Sequence, residues 1–370
     1  MSERFAGLRV CLVGPIPPPA GGMANQTAQL KRLLEQEGAE VNLVPVNAPY
    51  RPAVVGKVPV IRAAFRLLPY FFNLYRQYQR ADVVHLMANS GWSWHLFAAP
   101  AIWMAYWLNK PLLVNYRGGH ADSFFARSWK WVVPSLKRAS GVLVPSAFLQ
   151  EVFARWNWQA DVVPNVLDEG RFHPAPDRAP GSQLPEVHLI VTRNLEAIYD
   201  VATVIRCFSQ VRQAYPQAQL SIAGSGPQRK MLERLCDELS LRDSVTFLGR
   251  LEAKQMAELY RSADVMLNGS LVDNSPNSLI EAMACGVPVV SSNVGGIPKL
   301  ATDGVDALLV PPGEPAMMAE QVVRVLDDES LRRRLITNGL TTIGKYTWPK
   351  VGDALLGHYQ RAMAAQEVRA

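Results

Sequence analysis

Short apolar, β-branched runs alternate with helical lengths along this chain, and that alternation fixes the kind of fold it can adopt. LRVCLVG, AEVNLVPV, ADVVHLM, PLLVNY, GVLVPS and ADVVPN form a first series, each followed by a periodic apolar stretch. Continuous apolar runs mark strands buried on both faces, and the intervening helical lengths supply the crossovers that parallel strands need. The pattern breaks at HPAPDRAPGSQLPE, residues 173–186, where four prolines and a glycine mark a linker. A second series then runs VHLIVT, QLSIAGSG, SVTFLG, ADVMLN, VPVVSS and ALLVPP. The expected fold class is α/β, with two Rossmann-like, doubly wound domains.

Size and composition agree. A chain of 370 residues exceeds what one core usually serves, and 49% hydrophobic content can fill two. Cys11, Cys207, Cys236 and Cys285 are scattered without metal or redox spacing, which points to free structural thiols in a reducing compartment. Glu3 and Arg4 precede the first strand, with no signal-peptide pattern and no uninterrupted membrane span, so a cytoplasmic location is expected.

Asp273 to Gly296, DNSPNSLIEAMACGVPVVSSNVGG, packs polar residues, a helix start and a buried strand into one short unit. Pro276 suits the first turn of a helix continuing through Asn277, Ser278, Leu279 and Ile280, whose N-terminal N–H groups would favour an anion. Asp273 lies in the loop before that helix and Glu281, eight residues on, about one turn inside it. Small apolar residues follow, then Gly286 as the expected stop and Val287-Pro288-Val289-Val290 as a buried strand.

This segment resembles the signature of retaining glycosyltransferases of family four, in which two glutamates separated by seven residues flank a phosphate-binding helix start. Glu281 matches the second glutamate; Asp273 stands at the first, one methylene shorter, and Asn274-Ser275-Pro276 replaces the usual Gly-Phe-Gly. The resemblance extends over nearly the whole chain, through Gly21-Gly22 near the start, Ser146 after the fifth strand, and Pro164-Asn165 followed by Leu167-Asp168 and Phe172. It implies the GT-B fold, two Rossmann-like domains facing a cleft with a terminal helix crossing back to the first. The tail KYTWPKVGDALLGHYQRAM fits that helix, bending at Trp348-Pro349. Expected bounds are 1–172 for an acceptor-side domain, 173–186 for the linker, 187–345 for a nucleotide-sugar-binding domain and 346–370 for the crossover helix. By the same resemblance Gly21, Gly22, Arg193, Gly224, Asn277, Ser278, Leu279 and Glu281 bind the donor, Glu281 through ribose hydroxyls. His120, Asp273 and Glu281 form the catalytic set, and Arg117, Gly118 and Gly119 contact acceptor or sugar.

The residues add detail. Gly21-Gly22 follows a proline-rich turn, where glycine lets backbone approach a ligand, an ordinary strand-to-helix turn being the alternative. Gly224-Ser225-Gly226 follows the strand QLSIA, but Arg229 stands where a dinucleotide fingerprint wants its third glycine, which disfavours a nicotinamide enzyme. Sugar transfer builds negative charge on a diphosphate, which fixed dipoles and cations must stabilise. Arg193 matches the arginine of the family's basic pair, yet the lysine expected about five residues on is missing, and no cation follows until Arg206. Arg250 or Lys299 supplying the charge, backbone amides holding the phosphates, or weak catalysis are the open readings, in that order. In VNYRGGHADSFF, Arg117 takes the place of a family histidine near the sugar. It stays protonated and cannot act as a base, whereas His120 can exchange a proton near neutral pH. His85 is a weaker candidate, and His95, His173, His188 and His358 read as structural or exposed. No Asp-x-Asp or His/Cys cluster has ligand spacing, so no metal and no cofactor beyond the nucleotide-diphosphate sugar are expected.

Residues 57–80, KVPVIRAAFRLLPYFFNLYRQYQR, hold five cations and no acid. Arg62, Arg66, Arg76 and Arg80 recur near helical spacing opposite Phe65, Leu68, Phe72 and Tyr75, the composition of a helix on an anionic membrane surface. An ordinary packed helix is the competing reading, and Pro69 makes two short helices plausible. The net charge of +6 and pI near 9.2 favour an anionic surface or substrate. Trp92, Trp94, Trp103 and Trp107 are expected in the first core. Dispersed cations and the lack of a recognised nucleic-acid motif argue against nucleic-acid binding. The resulting expectation is a retaining, metal-independent hexosyltransferase of polysaccharide or lipid-linked precursor assembly, peripheral on the inner face of the membrane. The alternative is a non-catalytic nucleotide-sugar-binding protein of the same fold. Nucleotide base, sugar, acceptor, linkage and oligomeric state are not encoded in any motif.

Overall fold

The computed structural model describes residues 3–18, 22–48, 59–175 and 186–368, with the backbone alone along 59–64. Gly21 and most of the expected linker lie outside the described residues. The chain divides into two compact units, Met1–Val166 with Trp348–Ala370, and Leu167–Thr347.

Each of the twelve apolar runs carries a strand, and all are parallel. In the first unit β1 (Arg9–Gly14), β2 (Glu40–Pro45), β3 (Val83–Ala88), β4 (Leu112–Tyr116), β5 (Gly141–Val144) and β6 (Asp161–Val162) form one sheet, ordered β2-β1-β3-β4-β5-β6. In the second β7 (His188–Val191), β8 (Gln219–Ala223), β9 (Val245–Gly249), β10 (Val265–Asn268), β11 (Val289–Ser292) and β12 (Leu308–Val310) are ordered β12-β11-β10-β7-β8-β9. The winding direction reverses between β1 and β3 in the first sheet and between β7 and β10 in the second. Crevices open at such reversals, outside the carboxyl ends of the strands.

Helices α1 (Gly22–Gln36), α2 (Pro59–Arg80), α3 (Ala99–Trp107), α4 (Ala121–Leu136) and α5 (Ala147–Arg155) cover the first sheet. The second is covered by α6 (Val201–Ala214), α7 (Arg229–Glu238), α8 (Ala253–Ser262), α9 (Asn277–Ala284), α10 (Ile297–Leu300), α11 (Pro315–Asp327) and α12 (Glu329–Thr342). The inner strands of both sheets are buried on both faces, which is why they read as unbroken apolar runs, whereas the edge strand β9 alternates buried or half-buried with exposed positions. The last helix, α13 (Trp348–Glu367), joins the core of the first unit, where Trp348 stacks on Phe5 at 5.8 Å. Glu37 anchors this junction, paired with Arg4 and accepting from Trp348 Nε1 at 2.9 Å.

Two expectations need correction. α2 is one helix that runs through Pro69. Proline removes the bond to the carbonyl four residues back; here that residue, Phe65, is exposed, so water can serve the orphaned oxygen. Of the four tryptophans assigned to the core, Trp94 is fully buried, whereas Trp92 and Trp107 are 77% and 71% exposed. Trp103 is partly buried with Arg138 over its ring at 3.7 Å.

Candidate active site

In the second unit the polar side chains gather where β7 and β10 part. Arg193 follows β7, and its guanidinium donates to Ser270 Oγ at 3.1 Å and Ser278 Oγ at 3.3 Å and pairs with the Asp273 carboxylate. Its plane lies over the Tyr199 ring at 4.2 Å. Arg193 Nε is buried and has no acceptor among the described residues. Burial lowers the Arg193 pKa, opposed by Tyr199, Tyr260 and Glu281.

The loop after β10 is held from beneath. Ser270 Oγ donates to Asn268 Oδ1 at 2.8 Å, Asn268 Nδ2 to Ser291 Oγ at 2.9 Å, and Ser292 Oγ to the Ser270 carbonyl at 2.5 Å. These groups are wholly buried, so the satisfied network fixes the direction in which Ser270 presents its oxygen to Arg193. From the side, Gly296 N donates to the Asp273 carbonyl at 2.8 Å. A Cβ on Gly295 or Gly296 would overlap the Asp273 or Asn274 carbonyl, so only glycine lets the two loops touch. Gly224 plays the same part on the other side, its α-carbon against the Arg193 carbonyl, with its absent side chain facing backbone rather than open space.

Helix α9 begins after Pro276 with no side chain capping its N-terminus. Ser278 sits in its first turn beside Arg193, while Leu279 points into the core. The helix stops where expected, with Gly286 at φ +73°. Glu281, one turn in, accepts from Tyr260 Oη at 3.1 Å, and Tyr260 in turn meets Thr192 Oγ1 at 2.8 Å. Burial pushes the Glu281 carboxyl up to about 7, with Asp168 adding to the rise. The Tyr260 hydrogen bond, Arg171 and Arg193 pull the other way. Burial and Glu281 hold the Tyr260 phenol well above its usual range, so it remains the donor.

The second unit thus unites Arg193, Asp273 and Ser278, and places Glu281 on the same helix. Sequence reasoning missed Ser270, Tyr260 and the packing role of Gly295-Gly296. The glycine pair was visible at the end of the motif, but nothing local marks Tyr260, which arrives from α8. Lys299 lies on α10 directly after Gly295-Gly296, and Arg250 directly follows β9, whose Gly249 carbonyl accepts from Gly224 N at 2.8 Å.

In the first unit Arg117 follows β4 and belongs to a polar chain. Its Nε donates to Asn115 Oδ1 at 3.1 Å, and Nη1 donates to Asn165 Oδ1. Because arginine only donates, Asn115 must turn its oxygen to Arg117 and its NH₂ to His85 Nε2, 3.1 Å away. His85 therefore carries its proton on Nδ1 and donates to Tyr359 Oη of α13 at 2.9 Å. Burial, with Arg117 adding, lowers the His85 pKa to about 3, so the ring is neutral. Arg117 itself is lowered to about 10 by burial. Gly118 packs on Ser90 and Tyr116, whose hydroxyls lie 2.7 Å apart. Gly119 and His120 are exposed, and His120 is the N-cap residue of α4 without a side-chain cap bond. His95, read as structural or exposed, is half-buried with its ring edge-on to Phe124 and lines a pocket with His120. Gly22 opens α1 with open space around its α-carbon.

No helix among the described residues is long and apolar enough to cross a membrane.

Comparison with known proteins agrees with this architecture. Residues 20–171 match the model for Glycosyltransferase Family 4, and residues 178–342 that for Glycosyl transferases group 1, together most of the chain. Phosphatidyl-myo-inositol mannosyltransferase of Mycobacterium leprae is 25% identical over 365 residues, 92% of this chain and 93% of that protein. An uncharacterized glycosyltransferase of Methanocaldococcus jannaschii is 33% identical over 187 residues, 50% of this chain and 48% of that protein. The chain thus spans only about half the length of that relative, as of several others. Sucrose-phosphate synthase from Thermosynechococcus elongatus superposes with a TM-score of 0.73 at 22% identity, covering 97% of this chain and 100% of that one. Anabaena HepE in complex with UDP gives 0.72 at 17% identity, covering 94% and 98%. These likenesses establish the GT-B fold. Two family models placed end to end over both units lead to one conclusion: the chain belongs to the group 1 glycosyltransferases of family 4.

Proposed function

We propose that the protein transfers a sugar from a nucleotide-diphosphate sugar to a hydroxyl acceptor, with retention of anomeric configuration. The observation that carries this reading is the Arg193, Ser270, Asp273 and Ser278 cluster at the reversal between β7 and β10, set against the uncapped start of α9. A leaving diphosphate needs fixed positive potential, which the guanidinium and the helix start supply without reorganisation. Ionised Glu281, oriented by Tyr260, is suited to accept hydrogen bonds from ribose hydroxyls. Asp273 is the carboxylate assigned to the transferred sugar, with His120 the proton-exchanging group of the first unit. Support for the donor class comes from the UDP held by Anabaena HepE. With charge borne by Arg193 and Lys299 or Arg250, transfer should persist in EDTA.

The acceptor side points to a membrane. α2 leaves Phe65, Leu68, Phe72 and Tyr75 46%, 70%, 67% and 51% exposed, while Tyr70, Leu74 and Tyr78 bury its other face. Arg76 and Arg80 are exposed along the same helix. An exposed apolar row flanked by cations fits peripheral attachment to an anionic surface, and the Mycobacterium leprae relative is named for a phosphatidylinositol acceptor. Four buried free thiols support a cytoplasmic setting.

One observation favours the non-catalytic alternative. Asp273 already neutralises Arg193, and no lysine follows it, so a donor phosphate must compete with a carboxylate. Thermal stabilisation by UDP-, GDP-, ADP- and CMP-sugars, followed by donor hydrolysis, separates the two. A selective shift with turnover supports the transferase; a shift without turnover to any acceptor supports the binding protein. No shift with any nucleotide overturns both.

A further inference from the structure

The first unit contains a pocket of about 620 Å³ that includes His120 and none of the residues assigned to donor binding. Ser90, Gly91 and Trp92 line it after β3, one of the two strands flanking the reversal in that sheet, and His120, Phe124 and Arg127 line it from the start of α4. No carboxylate is among its lining residues. Arg127 is exposed and makes no hydrogen bond or ion pair among the described residues. The sixteen-residue helix α4 opens at His120 with no side-chain cap, adding the positive end of its dipole. Asp122, in the first turn of α4, pairs with Arg155 at 3.4 Å and does not line the pocket, whose one arginine is Arg127. Trp92 and Trp131 line the same pocket at 77% and 64% exposure. Exposed indoles with a polar surround offer flat apolar faces of the kind that pack on the C–H face of a pyranose.

We propose that this pocket binds an anionic sugar, with one ring on an exposed indole and its phosphate or carboxylate at Arg127, His120 and the α4 N-terminus. Its meaning as the acceptor subsite rests on the transferase reading, whereas the binding itself does not. Tyr70, on the buried face of α2, donates to the Phe97 carbonyl at 3.0 Å and so ties that helix, with its exposed apolar row, to the segment that carries the pocket residues Trp92 and His95. An amphiphilic acceptor with a charged sugar would meet both surfaces.

The test is tryptophan-fluorescence titration of the full chain, without nucleotide, with glucose 1-phosphate, glucuronic acid and glucose. At least one charged probe should bind about tenfold tighter than glucose, and Arg127→Gln should erase that preference. Trp92→Ala should weaken all binding, and unchanged circular dichroism shows that both variants fold. The phosphate and carboxylate arms identify the anion. Equal affinity for glucose and both charged probes, no binding of any probe, or an unaltered preference in Arg127→Gln overturns the assignment. Nucleotide-dependent stabilisation should survive Arg127→Gln, so failure of the donor reading shows separately, as a missing nucleotide shift in the wild type.

Discussion

Arg193 and Asp273 form an ion pair at the carboxyl ends of neighbouring strands, with side chains only 11% and 13% exposed. A phosphate arriving at Arg193 must share it with this carboxylate. Asp273→Asn keeps the shape and the hydrogen bond but removes the competing charge. The variant should bind the preferred nucleoside diphosphate about tenfold more tightly while losing sugar transfer, a split that calorimetry and product analysis resolve together. Weaker binding would mean that Asp273 holds Arg193 in its productive position rather than masking it.

Glu281 makes stability depend on pH with an unusual sign. Its pKa rises from 4.5 to about 7 on folding, so between those values the native state holds a proton that the unfolded chain has lost. Stability from this group is fully present below the unfolded pKa and declines as pH rises through that window. The loss is on the order of 3 kcal/mol, complete above the folded pKa. Glu281→Gln should flatten the profile and exceed the wild type in urea midpoint above neutrality. Donor affinity, which needs the ionised carboxylate, should rise in the wild type over the same interval and vanish in the variant.

Tyr359 tests the chain that reaches Arg117. Tyr359→Phe deprives His85 Nδ1 of its acceptor inside the first unit, leaving a buried N–H unpaired. A cost of about 1–3 kcal/mol in urea unfolding is expected, with α13 still docked through Trp348 and Leu355. No loss would show that His85 adopts the other tautomer, with Asn115 turned over.

The inner strands were legible because a strand buried on both faces must be apolar throughout, whatever lies beside it, and the edge strand β9 through its alternation of Val245 and Phe247 with exposed Thr246 and Leu248. VVHLMA shows the limit of that rule, since His85 sits fully buried within it and is paid for by Asn115 and Tyr359 from β4 and α13. Nothing within several residues of His85 announces those partners. In the site, Arg193, Ser278 and Glu281 stood out because strand ends and helix starts are local features. Ser270 and Tyr260 did not, since their roles depend on which strands the sheet order brings together. The tryptophans misled for a related reason: 92–108 is apolar but for Ser93 and His95, and only the packing decides that Trp94 turns inward while Trp92 and Trp107 face solvent.

Gly296 and Gly22 are both glycines at helix starts, yet they should behave oppositely. A methyl on Gly296 would overlap the Asn274 carbonyl, which belongs to the loop carrying Asp273. Gly296→Ala should displace that loop, cost about 2–4 kcal/mol and abolish nucleotide-dependent stabilisation. Gly22→Ala meets nothing within 4 Å and lies at the start of α1, so its stability should be unchanged or slightly raised. Thermal unfolding with and without nucleotide measures both effects.

Leu68 and Phe72 occupy successive turns of α2 and are the most exposed of its described apolar side chains, at 70% and 67%. Neither supports the core, which the same helix serves through Tyr70, Leu74 and Tyr78. Replacing both with serine should therefore leave the unfolding midpoint unchanged. If the row inserts among acyl chains, the double variant loses about 3 kcal/mol of apolar transfer, more than about a hundredfold in partition onto vesicles. Co-sedimentation with phosphatidylglycerol vesicles reads that loss directly. Arg76→Glu with Arg80→Glu should weaken binding to these vesicles but leave the weaker binding to phosphatidylcholine unaltered, because the cations act only on surface charge. Full retention of the serine variant would assign the exposed row to a protein partner and remove the membrane from the acceptor side.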